Sequence, residues 1–171
     1  MPALPTTEPA APMTTLRSRV RKFVTVIITC YAAWIGMLVT HELGHMLGAW
    51  LSGGRVISIS IPVVGFSQTI VHPNPHERFV VWCGPIVGVL LPGVLLLIKR
   101  AARTLIGFFV GFCLIANGSY IGLGWLRRAG DAGDLVRLGT PVWLMAAFGI
   151  VCTAAGLLCW HRTPGLTARK R

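Results

Sequence analysis

Four apolar stretches, each bordered by Lys, Arg or Pro, divide the chain. The first runs from Phe23 to Leu51 with no charge except Glu42, long enough to cross a hydrocarbon core of roughly 30 Å as a helix. The second, residues 78 to 98, carries Pro85 and Pro92, which membrane helices accommodate by kinking. The third, Thr104 to Leu126, holds Gly107, Gly111, Gly118, Gly122 and Gly124, small residues that let helix backbones approach. The fourth, Pro141 to Trp160, opens on a proline, where a missing N–H does no harm. Between the first two lies RVISISIPVVGFSQTIV, which alternates apolar and polar residues around Pro62 and Gly65, the period of a short hairpin, and is too polar to span. Between the last two, RRAGDAGDLVRLGT is expected to be a polar loop opening a short helical turn near Leu135. The expected fold is an all-α membrane protein of about four transmembrane helices, with a short β-hairpin between helices one and two.

Composition agrees: 54% of the residues are apolar, 12% are charged, and mean hydropathy is +0.69, which excludes a disordered chain and argues against an ordinary soluble domain. The net charge of +11 raises the question of nucleic acid, but the cations punctuate apolar runs instead of gathering on an aromatic-bearing soluble face. The expected partner is therefore the lipid bilayer and not nucleic acid. Residues 1–16, with four of the 11 prolines, read as a disordered leader, 17–162 as the transmembrane domain and 163–171 as a basic tail. The first apolar run follows a basic cluster as a signal peptide would, but it is too long and lacks a small-residue cleavage site, so it reads as a retained helix. Five cysteines without a C-x-x-C pair signal neither a disulfide framework nor a thiolate metal site. With the N-terminus inside, eleven Lys and Arg fall on the cytoplasmic side and five on the other, so both termini are expected in the cytoplasm.

The candidate chemistry is HELGH, residues 41 to 45, inside the first span. His41 and His45 are one turn apart on one helix face. Glu42 is rotated by about 100° beside them, able to address a water at the metal without ligating it. This pattern points to Zn2+ with Glu42 as general base. Placing it in an apolar helix is costly, on the order of 2.5–3.5 kcal/mol for a central charge, and such groups persist where they have a partner or a polar cavity.

A catalytic zinc ordinarily takes a third protein ligand and leaves one position open. The remaining acids are Glu8 in the leader, Glu77 beside Arg78 with the look of an interfacial charge, and Asp131 and Asp134. The aspartates are the candidates, with Asp131 preferred and Asp134 second, one of them also suited to cap the helical turn near Leu135. His72 and His76, flanking Pro73 and Pro75, are weaker candidates. Asn117 in the third span reads either as a hydrogen-bond donor to a bound substrate or as an interhelical polar contact.

HELGH, the small-residue run from Cys83 to Gly88 (CGPIVG) and GDAGDL after the third span together resemble the site-2 protease group of intramembrane zinc metallopeptidases, peptidase family M50, in particular its small bacterial members. The resemblance covers about residues 24 to 150. The family's N-P-x-P before its aspartate is not present; Asn117 stands upstream instead. The resemblance implies an intramembrane endopeptidase acting on membrane-protein substrates, in the plasma membrane of a bacterium, with an aspartate completing the metal site; the D-A of Asp131 and Ala132 matches the family form better than Asp134. It also implies that the metal end of the first helix approaches the cytoplasm, opposite to the charge count. A non-catalytic scaffold or regulator and a small metal-handling membrane protein are the alternatives, and no feature signals an oligomeric state.

Overall fold

A computed structural model describes residues 13–98 and 103–163. It consists of α1 (Met13–Leu51), β1 (Val56–Ser60), β2 (Gln68–Val71), α2 (Glu77–Ile98), α3 (Arg103–Gly124), α4 (Gly130–Arg137) and α5 (Val142–Arg162). Four of the helices, α1, α2, α3 and α5, are long and apolar enough to cross a membrane. The protein is thus an all-α multi-pass membrane protein with a two-stranded antiparallel hairpin between its first two helices. Its outer surface is apolar in the way lipid requires: Leu97 is 86% exposed and Ile150 70%.

Two expectations change. Helix α1 begins at Met13 and not Phe23, carrying the basic collar into the helix and the end of the expected leader with it; residues 1–12 and 164–171 of the leader and tail lie outside the described residues. The segment expected to be mostly loop is the helix α4, entered through Gly130 at φ +52°.

Cross-helix neighbours establish the direction of each span. Gly44 and Gly48 of α1 lie against Cys83 and Val80 of α2, and Gly118 and Gly122 of α3 lie against Cys152 and Gly149 of α5, so each pair is antiparallel. Gly36 meets Phe109 and His41 meets Asn117, so α1 and α3 run in parallel. The closest approach is between α3 and α5. A Cβ at Gly149 would stand 2.6 Å from the Gly122 Cα, a contact only two glycines permit. One apolar cluster, Met37, Leu38 and Cys113, joins α1 to α3. A second, Val81, Ile121, Ala132, Leu135 and Met145, joins α2, α3 and α5 and takes in two residues of α4.

That second cluster orients α4. Ala132 and Leu135 are fully buried, and on a helix they share a side with Asp131, whereas Asp134 is turned away from it. Arg137, in the last turn of α4, then binds Asp134 of its own helix and Glu77 at the start of α2, clasping the outer side of α4 to the bundle. Glu77 is therefore paired across elements and not with the adjacent Arg78.

The hairpin pairs Ser58 with Ile70, Ile59 with Thr69 and Ser60 with Gln68, with an irregularity between Val56 and Ser58. Its tip is apolar and open, with Val63 71%, Val64 84% and Phe66 76% exposed. The Tyr31 hydroxyl donates to the Val63 carbonyl at 3.1 Å, laying the tip along α1 more than two turns before the histidines.

The packing predicts contrasting effects at two glycines. Gly149→Val is expected to destabilise the detergent-solubilised protein by roughly 1–3 kcal/mol, because the backbone it meets cannot yield. Gly93→Ala, with nothing within 4 Å of the added carbon, is expected to leave stability unchanged or slightly raised. Unfolding midpoints of the two variants measured side by side check this.

Candidate metal centre

His41 and His45 face α2 and α3 from the C-terminal third of α1, and both are buried. Each ring is held through Nδ1. His45 Nδ1–H donates to the Val80 carbonyl, near the start of α2, at 2.9 Å. His41 Nδ1–H donates to Asn117 Oδ1 at 2.7 Å, and the amide is oriented by its own Nδ2–H, which donates to the Cys113 carbonyl at 2.9 Å. These tautomers are assigned from the network, since each acceptor is a carbonyl oxygen. Both Nε2 atoms are then left with a lone pair and no hydrogen.

The two Nε2 atoms are 3.1 Å apart, and Asp131 Oδ2 lies 2.7 Å from the first and 3.2 Å from the second. Three acceptors thus converge with no proton between them in the neutral tautomers. Ligands at 2.0–2.1 Å around a tetrahedral zinc would be about 3.3 Å apart, so the triangle fits such an ion with its sides opening by about 0.1–0.6 Å. The donor set, two imidazoles and one carboxylate, is one that zinc accepts in catalytic sites. Burial raises the pKa of Asp131, but with a proton on the His41 or His45 Nε2 the hydrogen bond and charge of that ring outweigh it and hold the carboxyl well below its ordinary range, so this corner of the triangle is a carboxylate.

Glu42 is 2% exposed. Its carboxylate, His41 and His45 each offer a ligating atom within 4.8 Å of the others, a looser arrangement than the triangle with Asp131, so Glu42 is better placed beside the metal position than in it. The Thr69 hydroxyl of β2 donates to Glu42 Oε2 at 2.5 Å and aims the carboxylate.

Glycines of α2 make room for these groups. A Cβ at Gly84 would stand 3.0 Å from His41 Nε2 and overlap the His45 ring; one at Gly88 would stand 2.9 Å from Asn117 Oδ1. The CGPIVG run is thus where the second helix yields space to the polar groups of the first and third. His41, Glu42, His45, Asn117 and Asp131 border a cleft of about 880 Å³ that is also lined by strand β2 and the start of α4.

Of the aspartates, the structure brings Asp131 to the histidines and turns Asp134 to Arg137, 3.1 Å from its Nη2. Asp134 does not cap the helix either: the N-cap position is Ala129, without a side-chain bond. His72 and His76 stand outside the cluster. Asn117 is 1% exposed with its amide engaged on His41 and Cys113, which is the interhelical contact of its two expected readings, and it also lines the cleft. Sequence reasoning missed Thr69 and Tyr120. The alternation that puts Thr69 inward, and the three-residue spacing that puts Tyr120 on the Asn117 face of α3, were the available signals.

No family model, curated protein or solved structure matches the chain. The class of this site therefore rests on its own geometry.

His41→Ala, His45→Ala and Asp131→Ala are each expected to abolish stoichiometric zinc, with Asp134→Ala close to wild type and Asn117→Ala weakening affinity 10–100-fold through loss of ring orientation. Zinc content and chelator competition on the purified variants check this ranking.

Proposed function

We propose that the protein is a zinc-dependent intramembrane endopeptidase that hydrolyses peptide bonds of membrane-protein substrates. The observation that carries the reading is the combination of three converging acceptors with an adjacent carboxylate that is buried, aimed by Thr69 and not required as a ligand. A site serving only storage or transport of a metal has no use for that carboxylate.

His41, His45 and Asp131 would hold the ion, which when bound lowers the pKa of water toward roughly 7 and polarises a carbonyl. Glu42 accepts the proton of the attacking water and returns it to the departing amine. Asn117 and the Val80 carbonyl keep both imidazoles in the ligating tautomer throughout. A helical substrate hides its carbonyls, so the segment must unwind before attack. Among the described residues the sheet has two strands, leaving the edge of β2 away from β1 unpaired, and β2 residues line the cleft beside Glu42. An unwound chain pairing along Gln68–Val71 would exchange helix hydrogen bonds for ladder bonds.

The groups of the site lie about 5–15 Å of helix rise inside the ends of α1, α2 and α3 that face away from the termini. With eleven of 16 Lys and Arg on the terminal side, our reading puts the cleft toward the extracytoplasmic face of a bacterial plasma membrane.

Glu42→Gln is expected to retain one zinc per chain and lose several orders of magnitude in cleavage rate. Cleavage of quenched-fluorescent apolar peptides by the purified protein in detergent, alongside its zinc content, tests this; undiminished cleavage by the variant rejects the mechanism.

A further inference from the structure

Tyr120 is a polar residue of the cleft, bonded to the backbone of Asp131, that the mechanism above leaves unused. It stands one turn beyond Asn117 on the same side of α3, and its ring meets His41 edge-on with centroids 6.0 Å apart. The backbone N–H of Asp131 donates to its hydroxyl oxygen at 2.9 Å. The phenol oxygen is thus fixed beside the residue that supplies the third corner of the donor triangle. Phe66 of the hairpin tip stacks on the ring from the other direction, centroids 6.0 Å apart and planes 22° from parallel. Gly130 completes the fit, since a Cβ there would overlap the hydroxyl.

A phenol accepts and donates. Here the accepting side is occupied and, among the described residues, no acceptor takes the proton. An O–H bond whose oxygen already accepts a hydrogen bond is the more polarised for it. The other donors near the triangle are engaged: His41 and His45 Nδ1–H on carbonyl oxygens, the Asn117 amide on Cys113, the Thr69 hydroxyl on Glu42, and Arg137 on Glu77 and Asp134. Ser67, Gln68 and Ser119 also line the cleft, but none bonds to a member of the triangle.

Resting on the peptidase reading, we infer that Tyr120 is a catalytic residue whose hydroxyl donates a hydrogen bond to the scissile carbonyl oxygen as negative charge develops there. The water oxygen bonds to the carbonyl carbon, the carbonyl π pair moves onto its oxygen, and Glu42 takes the water proton. Tyr120 stabilises the oxygen without giving up its own proton. When the electron pair returns, the C–N bond breaks and the amine leaves with the proton from Glu42. Donors of this kind act mainly in the transition state, so their removal lowers kcat and largely spares KM.

The test compares wild type, Tyr120→Phe and Glu42→Gln in detergent for three readouts: cleavage of a quenched-fluorescent apolar peptide, zinc affinity by chelator competition, and affinity for a phosphinic peptide whose tetrahedral anionic centre mimics the attacked carbonyl. Tyr120→Phe is expected to keep zinc affinity within about twofold, to lower kcat about 10²–10³-fold with KM little changed, and to weaken the phosphinic peptide in parallel. Wild-type kcat in Tyr120→Phe overturns the inference and leaves the peptidase reading standing. A 10–100-fold fall in zinc affinity accompanying the loss also overturns it, since the phenol would then only hold Asp131 in place. If wild type is no faster than Glu42→Gln, the peptidase reading fails and the role assigned to Tyr120 fails with it.

Discussion

Two imidazoles that have each spent their Nδ1–H on a carbonyl oxygen are the constraint around which this molecule is arranged. Once those hydrogens are committed, both Nε2 lone pairs and the Asp131 carboxylate point at one position, an arrangement that is repulsive unless a cation occupies it. Burial intensifies the effect, because a low dielectric strengthens both the repulsion without an ion and the attraction with one. Helix α1 supplies the two rings at one-turn spacing, α2 contributes a carbonyl from its first turn and glycines in place of side chains, and α3 contributes the amide of Asn117. None of these groups is tolerable in an apolar bundle by itself; together each satisfies another.

The third corner comes from outside the spanning helices. Helix α4 has only eight residues, too few to be stable by itself, and it holds its place through Ala132 and Leu135 in the bundle core and Arg137 at the rim. Gly130, with its positive φ, turns the chain into the helix so that Asp131 falls in the first turn, facing inward. Substitutions that disturb this small helix would displace the third corner of the triangle without touching the histidines, because that helix carries the carboxylate and the Tyr120 hydroxyl holds its backbone N–H.

The four spans were legible because apolar runs of this length, bounded by charge, match the thickness of a bilayer core, and the hairpin because a period of two is hard to mistake over seventeen residues. HELGH was legible because the i, i+4 spacing is a property of the helix alone. The loop expectation for residues 127–140 fell short since glycines and acids masked an apolar face of Ala132, Leu135 and Val136; reading that face would also have separated Asp131 from Asp134. The early start of α1 was hidden by its basic collar, which reads as a flank although Lys and Arg are good helix formers. The role of Asn117, the Thr69 contact and the pairing of Glu77 with Arg137 depend on which elements meet, which no local pattern encodes.

A zinc site of two imidazoles and one carboxylate, buried among apolar helices, is what the proposed chemistry presupposes. X-ray absorption at the zinc edge of the zinc-loaded protein in detergent reads that ligand set without reference to any substrate. The expected spectrum is that of a four-coordinate ion with two imidazole nitrogens and the remaining ligands oxygen, all at about 2.0–2.1 Å. A sulfur shell at about 2.3 Å, or a first shell with one imidazole or none, would contradict it.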